Sequence, residues 1–219
     1  MHDSQTPLSG MLQMLNMQIN CWFGGVGVGF MNYYAFLIIA VFISGLMVGR
    51  TPEYIGKKIN AFDMKMVCII ILVPPLCLLL ATAITTLFPA AQQLQADGGW
   101  LSNTGSHGFS EILYAYTSMA GNNGSAFAGF QANTVLTNVM GGTVMLLVRF
   151  LPMVAVIYLA QSLASKKYVP AGSGTLATTS PLFVGFLIVI VLIVGALTFL
   201  PVLALGPLAE FFTQLHVLG

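Results

Sequence analysis

Two short runs of small residues, Gly25-Val-Gly-Val-Gly29 and Asn122-Asn-Gly-Ser125, would carry their chemistry on the main chain. A dehydrated alkali cation such as potassium is held by backbone carbonyls that stand in for its water shell. That demands an extended run of small residues whose peptide planes can all point one way. Gly25, Val26, Gly27, Val28 and Gly29 supply such a run, with glycine where unusual dihedrals are needed. Asn122, Asn123, Gly124 and Ser125 supply a second, less symmetric one. The first run has two other readings. A dinucleotide fingerprint fails, because no strand precedes it and the Gly-x-Gly-x-x-Gly spacing is absent. Tight helix packing is the other, and the recurrence of the loop in the same context weighs against it. Asn123-Gly-Ser125 also matches a glycosylation sequon, a coincidence if the loop is buried at membrane depth.

The segments around each run decide where it lies. Phe109 to Met119 is a helix of about ten residues, ~15 Å long, enough for half a bilayer. From about Thr134 to Leu163 a segment follows that can cross one fully. Irregular backbone between them, at membrane depth, is tolerated only where protein buries it or water lines it. A re-entrant loop facing a pore is expected. The same order stands earlier in the chain: a short helix over Met11 to Ile19, the loop Phe23 to Phe30, and an apolar helix over Met31 to Gly49. Gly29-Phe30 and Gly129-Phe130 hold the same place in each copy, which makes this an internal repeat. The second copy is preceded by a further apolar helix, Met66 to Phe88, with Pro74 and Pro75 as a tolerated kink.

Composition sets the environment. Hydrophobic residues make up 57% of the 219 and charged residues only 6%, with mean hydropathy +0.90. A soluble domain carries about a quarter charged residues, so an all-α integral membrane protein is expected, with about four transmembrane helices and two re-entrant pore loops. The spans are Met31 to Gly49, Met66 to Phe88, Thr134 to Leu163 and Leu182 to Leu205. Arg50, Lys57, Lys58 and Lys65 fall in one loop and Lys166 and Lys167 in another, whereas Pro89 to Gly108 and the tail after Gly206 have no lysine or arginine. The positive-inside rule makes the two basic loops cytoplasmic and the C-terminus extracytoplasmic. The first twenty residues carry Asp3, Gln5, Gln13, Asn16, Gln18 and Asn20, so no secretory signal is expected there. A net charge of +1 offers no basic footprint for nucleic acid.

Arg149 is the one cation expected inside a span, at a cost of roughly 2.5 to 3.5 kcal/mol. It reads as an electrostatic barrier below the filter or the partner of an acid elsewhere; snorkelling to the cytoplasmic surface is the alternative. Pro152 and Gly141-Gly142 near it point to a broken helix. Thr51-Pro-Glu-Tyr54 has the order of a helix start, and a short helix on the inner surface is expected from there, as a lipid anchor or a docking site. His107 and Glu111 can share a helical face, but with no third ligand nearby a metal site is not expected. Cys21, Cys68 and Cys77 imply neither disulfide nor metal. With no Walker loop and no apparent catalytic triad or phosphorylated-aspartate domain, the chain itself should not hydrolyse ATP.

Gly24-Gly-Val-Gly-Val-Gly29, Gly49-Arg-Thr-Pro-Glu-Tyr-Ile-Gly-Lys-Lys58, His107-Gly-Phe-Ser-Glu111, Asn122-Asn-Gly-Ser-Ala-Phe-Ala-Gly129 and Gly195-Ala-Leu-Thr-Phe199 together resemble the potassium-binding A subunit (KdpA) family of the bacterial Kdp potassium-transporting ATPase. The resemblance covers essentially the whole chain. It implies potassium-channel-like pseudo-repeats, each with an outer helix, pore helix, filter loop and inner helix, four of them around one filter. Potassium is the implied cargo, with no tightly bound cofactor. A separate P-type ATPase catalytic subunit hydrolyses ATP, small accessory subunits complete the complex, and the location is the bacterial plasma (inner) membrane among its lipids. On this reading residues 1–50 are the pore helix, filter and inner helix of the third repeat and 51–65 a cytoplasmic interfacial loop. Residues 66–164 are the fourth repeat, 165–181 a cytoplasmic loop and 182–219 the last transmembrane helix and external tail. Arg149 matches an arginine of the fourth inner helix. The family's subunit is more than twice as long, so the chain reads as its C-terminal half, with the N-terminal half or a complementary chain as its partner. A passive homodimeric potassium channel and a non-transporting fragment that only binds Kdp partners are the alternatives.

Overall fold

The computed structural model describes residues 6–21, 27–127, 130–170 and 177–218. In chain order these form α1 (Pro7–Ile19), α2 (Val28–Met47), a hairpin of β1 (Glu53–Tyr54) and β2 (Lys57–Lys58), α3 (Ala61–Thr86), α4 (Gly105–Ala120), α5 (Val135–Ser165), α6 (Pro181–Leu203) and α7 (Ala209–Leu218). Among them α2, α3, α5 and α6 are long and apolar enough to cross a membrane. At 1.5 Å per residue α1 and α4 reach only about 20 and 24 Å. The long helices expose apolar side chains, such as Val139, Leu146, Phe150 and Ile157 on α5. Water would disfavour so much apolar surface, whereas hydrocarbon accepts it. The chain is an all-α membrane protein whose only strands, among the described residues, are the two of the short hairpin.

Contacts divide the chain into two compact units, and three of the long helices contribute to both. The first unit comprises residues 1–19, 74–149 and 195–219. Its core surrounds α4, with Met14, Leu78, Leu113, Tyr116, Val144 and Phe199 buried about it. Tyr116 also meets Thr85 of α3 through a buried 2.7 Å hydrogen bond between hydroxyls. Before α4, residues 89–104 fold into two short 3₁₀ turns clamped to the helix by Glu111. That carboxylate is fully buried and accepts the Ser102 amide and the Asn103 side-chain amide, each at 2.9 Å. After α6 the chain passes through one π-turn, Ala204–Leu208, straight into α7. The tail after Gly206 is helical: Pro207 does not stop the helix, because wider π hydrogen bonding absorbs the amide it lacks.

The second unit comprises residues 20–73 and 150–194. Here α2 ends in a Schellman motif, with Gly49 left-handed at φ 67° and the Arg50 amide on the Gly45 carbonyl at 2.8 Å. The surface helix expected from Thr51 is absent. Glu53 pairs with Lys58 and Tyr54 with Lys57 across a turn in which Ile55 (φ 49°) and Gly56 (φ 69°) are both left-handed. A helix of a few residues with Gly56 inside it is weak, and the tight turn also lets Gly56 accept the Val169 amide at 2.8 Å. The true helix start is Asn60, in a reciprocal capping box. Asp63 accepts the Asn60 amide at 2.8 Å and Asn60 accepts the Asp63 amide at 3.0 Å. Buried Asp63 is also met by Ser162 and by the Lys166 ammonium, so one carboxylate fastens the start of α3 to the end of α5.

The helices run through their prolines. Over Val135–Ser165 α5 is unbroken at Gly141, Gly142 and Pro152, against the expected break. One lost hydrogen bond in a helix of 31 residues is tolerated where the neighbouring bonds lie in a low-dielectric surrounding.

Candidate functional site

The second run sits at the C-terminal end of α4, where the helix dipole makes the electrostatics favourable to a cation. The chain then folds back over its own helix. The amides of Gly121, Asn122 and Asn123 donate to the carbonyls of Thr117, Met119 and Ser118 at 2.9, 3.0 and 3.1 Å, and Gly124 reaches Ser118 at 3.5 Å. The Ser125 amide donates to Asn123 Oδ1 at 3.1 Å. Every loop donor is thus turned toward the protein. Among the described residues, the carbonyls of Asn122, Asn123, Gly124 and Ser125 accept no hydrogen bond.

Dihedrals explain that separation. Asn122 (φ 57°) and Gly124 (φ 73°) are left-handed, whereas Asn123 and Ser125 are not. Left-handed residues alternating with others turn successive amides to one side, here toward the end of α4. Gly124 is the position where this requires glycine, and a Cβ there would meet nothing within 4 Å. The open space lies in front of the loop, where Asn123 and Gly124 are exposed.

Behind the loop stands a polar and aromatic backing that the sequence reading missed. Ser118 Oγ donates to Asn123 Oδ1, and the Tyr114 hydroxyl lies 3.0 Å from Ser125 Oγ. Phe127 stacks on Tyr114 with ring centroids 4.5 Å apart, and His107 stacks on the same phenyl ring at 5.8 Å. His107, Tyr114 and Ser118 follow one another at seven and four residues, the spacing of one helical face, which was the available signal. From α1, Gln18 donates to Thr117 Oγ1 at 3.3 Å and Met17 receives the Asn123 side-chain amide at 3.5 Å. The start of α5 is fixed by a second capping box, Thr134 and Thr137 exchanging amide and hydroxyl contacts at 3.0 and 3.1 Å.

The other expected residues are placed as follows. Gly25 and Val26 lie outside the described residues. Gly27 caps α2, its carbonyl accepting the Met31 amide at 3.0 Å, and Val28 and Gly29 form the first helical turn rather than an extended stretch. Before them the chain leaves α1 at Asn20, left-handed at φ 44°, whose carbonyl takes the Asn32 side-chain amide at 3.1 Å. Arg149 is half-buried on α5 with no ion pair or hydrogen bond among the described residues. His107 and Glu111 diverge: His107 Nδ1 faces Glu210 at 2.8 Å, while Glu111 serves the loop before α4. Cys21 is buried, which pushes its thiol up to about 11, Cys77 is half-buried and Cys68 is exposed.

The sequence model of the potassium-transporting ATPase A subunit matches residues 1–212. The chain belongs to that family. Family relatives named potassium-transporting ATPase potassium-binding subunit include those of Listeria monocytogenes, 56% identical over 214 residues, and Parabacteroides distasonis, 54% identical over 215. Another, from Clostridium perfringens, is 54% identical over 216 residues. These alignments cover 97, 97 and 98% of this chain and 37, 38 and 36% of the relatives, so the chain spans little more than a third of their length. Both glycine-rich runs and the helices α2, α3, α5 and α6 fall within the matched residues.

Proposed function

We infer that this chain forms part of the potassium path of an ATP-driven uptake pump in the bacterial plasma membrane, where the Asn122–Ser125 carbonyls replace the hydration shell of the ion. The observation that carries the reading is the division within that loop: donors committed to α4, acceptors left free, and the helix C-terminus behind them. The Gly25–Gly29 run is its counterpart, with coordination confined to carbonyls ahead of the α2 helix. Arg149 stands below as a barrier to the ion. The basic loops around Arg50 and Lys166 face the cytoplasm and the C-terminus faces out, as their charge asymmetry supports. Potassium is cargo, and no resident cofactor is part of the reading.

A chain of this length brings two loops. The remaining coordination comes from the N-terminal half of the same subunit or from a complementary chain, and ATP hydrolysis from a separate P-type subunit with small accessory subunits. The relatives' names favour this pump component over a passive homodimeric channel.

The test is growth at micromolar potassium of an uptake-deficient bacterium that carries the ATPase and accessory subunits. This chain is supplied alone or with an N-terminal-half partner. Rescue only with the partner is expected. Rescue by the chain alone would favour a self-assembled pore, and no rescue despite confirmed expression would refute the transport role.

A further inference from the structure

We propose that His107, held by Glu210 of α7, is a positioning residue for the Asn122–Ser125 loop and acts on it through Phe127 and Tyr114. The inference rests on that loop being the ion site.

The linkage is continuous. Glu210 Oε1 lies 2.8 Å from His107 Nδ1. The imidazole lies on Phe127 at 5.8 Å between centroids with 24° between planes, and Phe127 lies on Tyr114 at 4.5 Å and 23°. The Tyr114 hydroxyl then meets Ser125 Oγ at 3.0 Å. His107 and Tyr114 lie two turns apart on one face of α4, and Phe127, two residues past the loop, inserts against both. Its ring tip is closed from α1 as well, since a Cβ on Gly10 would stand 3.6 Å from it. Phe127 is 4% exposed. A shift of the imidazole therefore moves Phe127 or opens a gap beside it, and close-packed interiors transmit such shifts.

What fixes the imidazole comes from the far end of the chain. The π-turn Ala204–Leu208 presses against α4 so closely that a Cβ on Gly206 would come within 2.6 Å of Ser110 Oγ, and it delivers Glu210 to His107. Glu210 is steadied in turn by the Gln214 amide at 3.2 Å. At the other edge of the imidazole, Nε2 is buried with no hydrogen-bond partner among the described residues. The ring is thus held by Glu210 and by stacking alone. Neither α1 nor the π-turn carries a charged side chain, Glu111 is committed to Ser102 and Asn103, and Asp97 is exposed. Single-turn π insertions recur at functional sites, and this one joins the last helix to the loop.

The test uses the assembled pump with the full-length subunit, reading potassium-stimulated ATP hydrolysis against potassium concentration. His107→Asn keeps a donor toward Glu210 but removes the ring; His107→Phe keeps a ring but removes the donor. Each is expected to raise the half-saturating potassium concentration by about five- to tenfold, the scale of one ordinary hydrogen bond for His107→Phe and of one ring stack for His107→Asn. The rate at saturating potassium should stay within about twofold, since a positioning defect falls on binding rather than turnover. Adding Glu210→Gln to His107→Phe should bring no further loss, because both cut the same link. Ser125→Ala in the same assay reports on the loop itself. A shift with Ser125→Ala but none with either His107 variant overturns the positioning role and leaves the ion site standing; no shift in any of them removes both. Loss of rate with unchanged half-saturation also overturns it. Phe127→Leu, which cuts the same stack without touching a polar group, replaces any variant that does not assemble and is held to the same outcomes.

Discussion

Replacing Gly124 by alanine isolates what backbone conformation contributes to the proposed ion site. Gly124 is left-handed at φ 73°, and an added Cβ would have no atom within 4 Å, so the change introduces strain without a clash. An L-residue in that region costs about 1 to 2 kcal/mol relative to glycine. If the loop must hold this conformation to present its carbonyls to an ion, and can relax when empty, the strain falls on the bound state. A deficit of 1.4 kcal/mol is tenfold in a dissociation constant, so apparent potassium affinity should fall by roughly 5- to 30-fold. Gly142→Ala is the control: it is helical, its Cβ also meets nothing within 4 Å, and alanine there is expected to leave affinity unchanged. The assay is a potassium titration of ATP hydrolysis by the purified complex, with assembly verified by size exclusion. Wild-type affinity and ion preference in a fully assembled Gly124→Ala complex would refute the reasoning and remove Gly124 from the site.

Other substitutions probe the frame. Glu111→Gln puts an amide donor against the two donors that the buried carboxylate now accepts. It should cost about 1 to 3 kcal/mol, seen as faster hydrogen exchange over residues 89–104; unchanged protection at Ser102 would count against the clamp. Lys166→Gln leaves the buried Asp63 carboxylate without its cation. A loss of about 3 to 5 kcal/mol is expected, measured as a lower midpoint for heat-induced loss of the complex, and no change would mean that Asp63 is solvated. Burial pushes the Cys21 thiol up to about 11, so the thiolate population near neutral pH is roughly a hundredth of the ordinary one. Mass spectrometry of the intact complex should find Cys21 alkylated about a hundred times more slowly than an unperturbed thiol, and comparable rates would refute its burial.

The long helices were legible because their cue is composition sustained over twenty residues or more. Met66 to Phe88 and α3 agree to within five residues, and the difference is the capping box at Asn60 and Asp63, a reciprocal pair that hydropathy does not register. The short helices before the two runs were legible from length against polarity. What was not legible depended on contacts between distant residues. Thr51-Pro52-Glu53 has the right residues to begin a helix, but Ile55-Gly56 forms a left-handed turn fastened to residues beyond α5, and that contact overrides the local preference. Glu210 and His107 are separated by 103 positions, too far for spacing to register. The candidate loop itself was visible as asparagine and glycine between a short helix and a long apolar one, whereas its alternating hand and the Tyr114 backing needed coordinates.

Among the described residues the four carbonyls of the loop accept nothing, and to coordinate one ion their oxygens must converge, like ends of dipoles that repel. On the proposed function, an ion in front of them screens that repulsion, so occupancy does mechanical work as well as marking the first step of transport. Any species that binds the native loop and not the disordered one stabilises it by RT ln(1 + [L]/Kd), about 2.7 kcal/mol at a hundred times Kd. Potassium scarcity, the condition under which high-affinity uptake matters, is therefore also the condition that loosens the loop. The Tyr114 and Ser118 hydroxyls and the stacked Phe127 are then the scaffold on which the loosened loop re-forms when the next ion arrives.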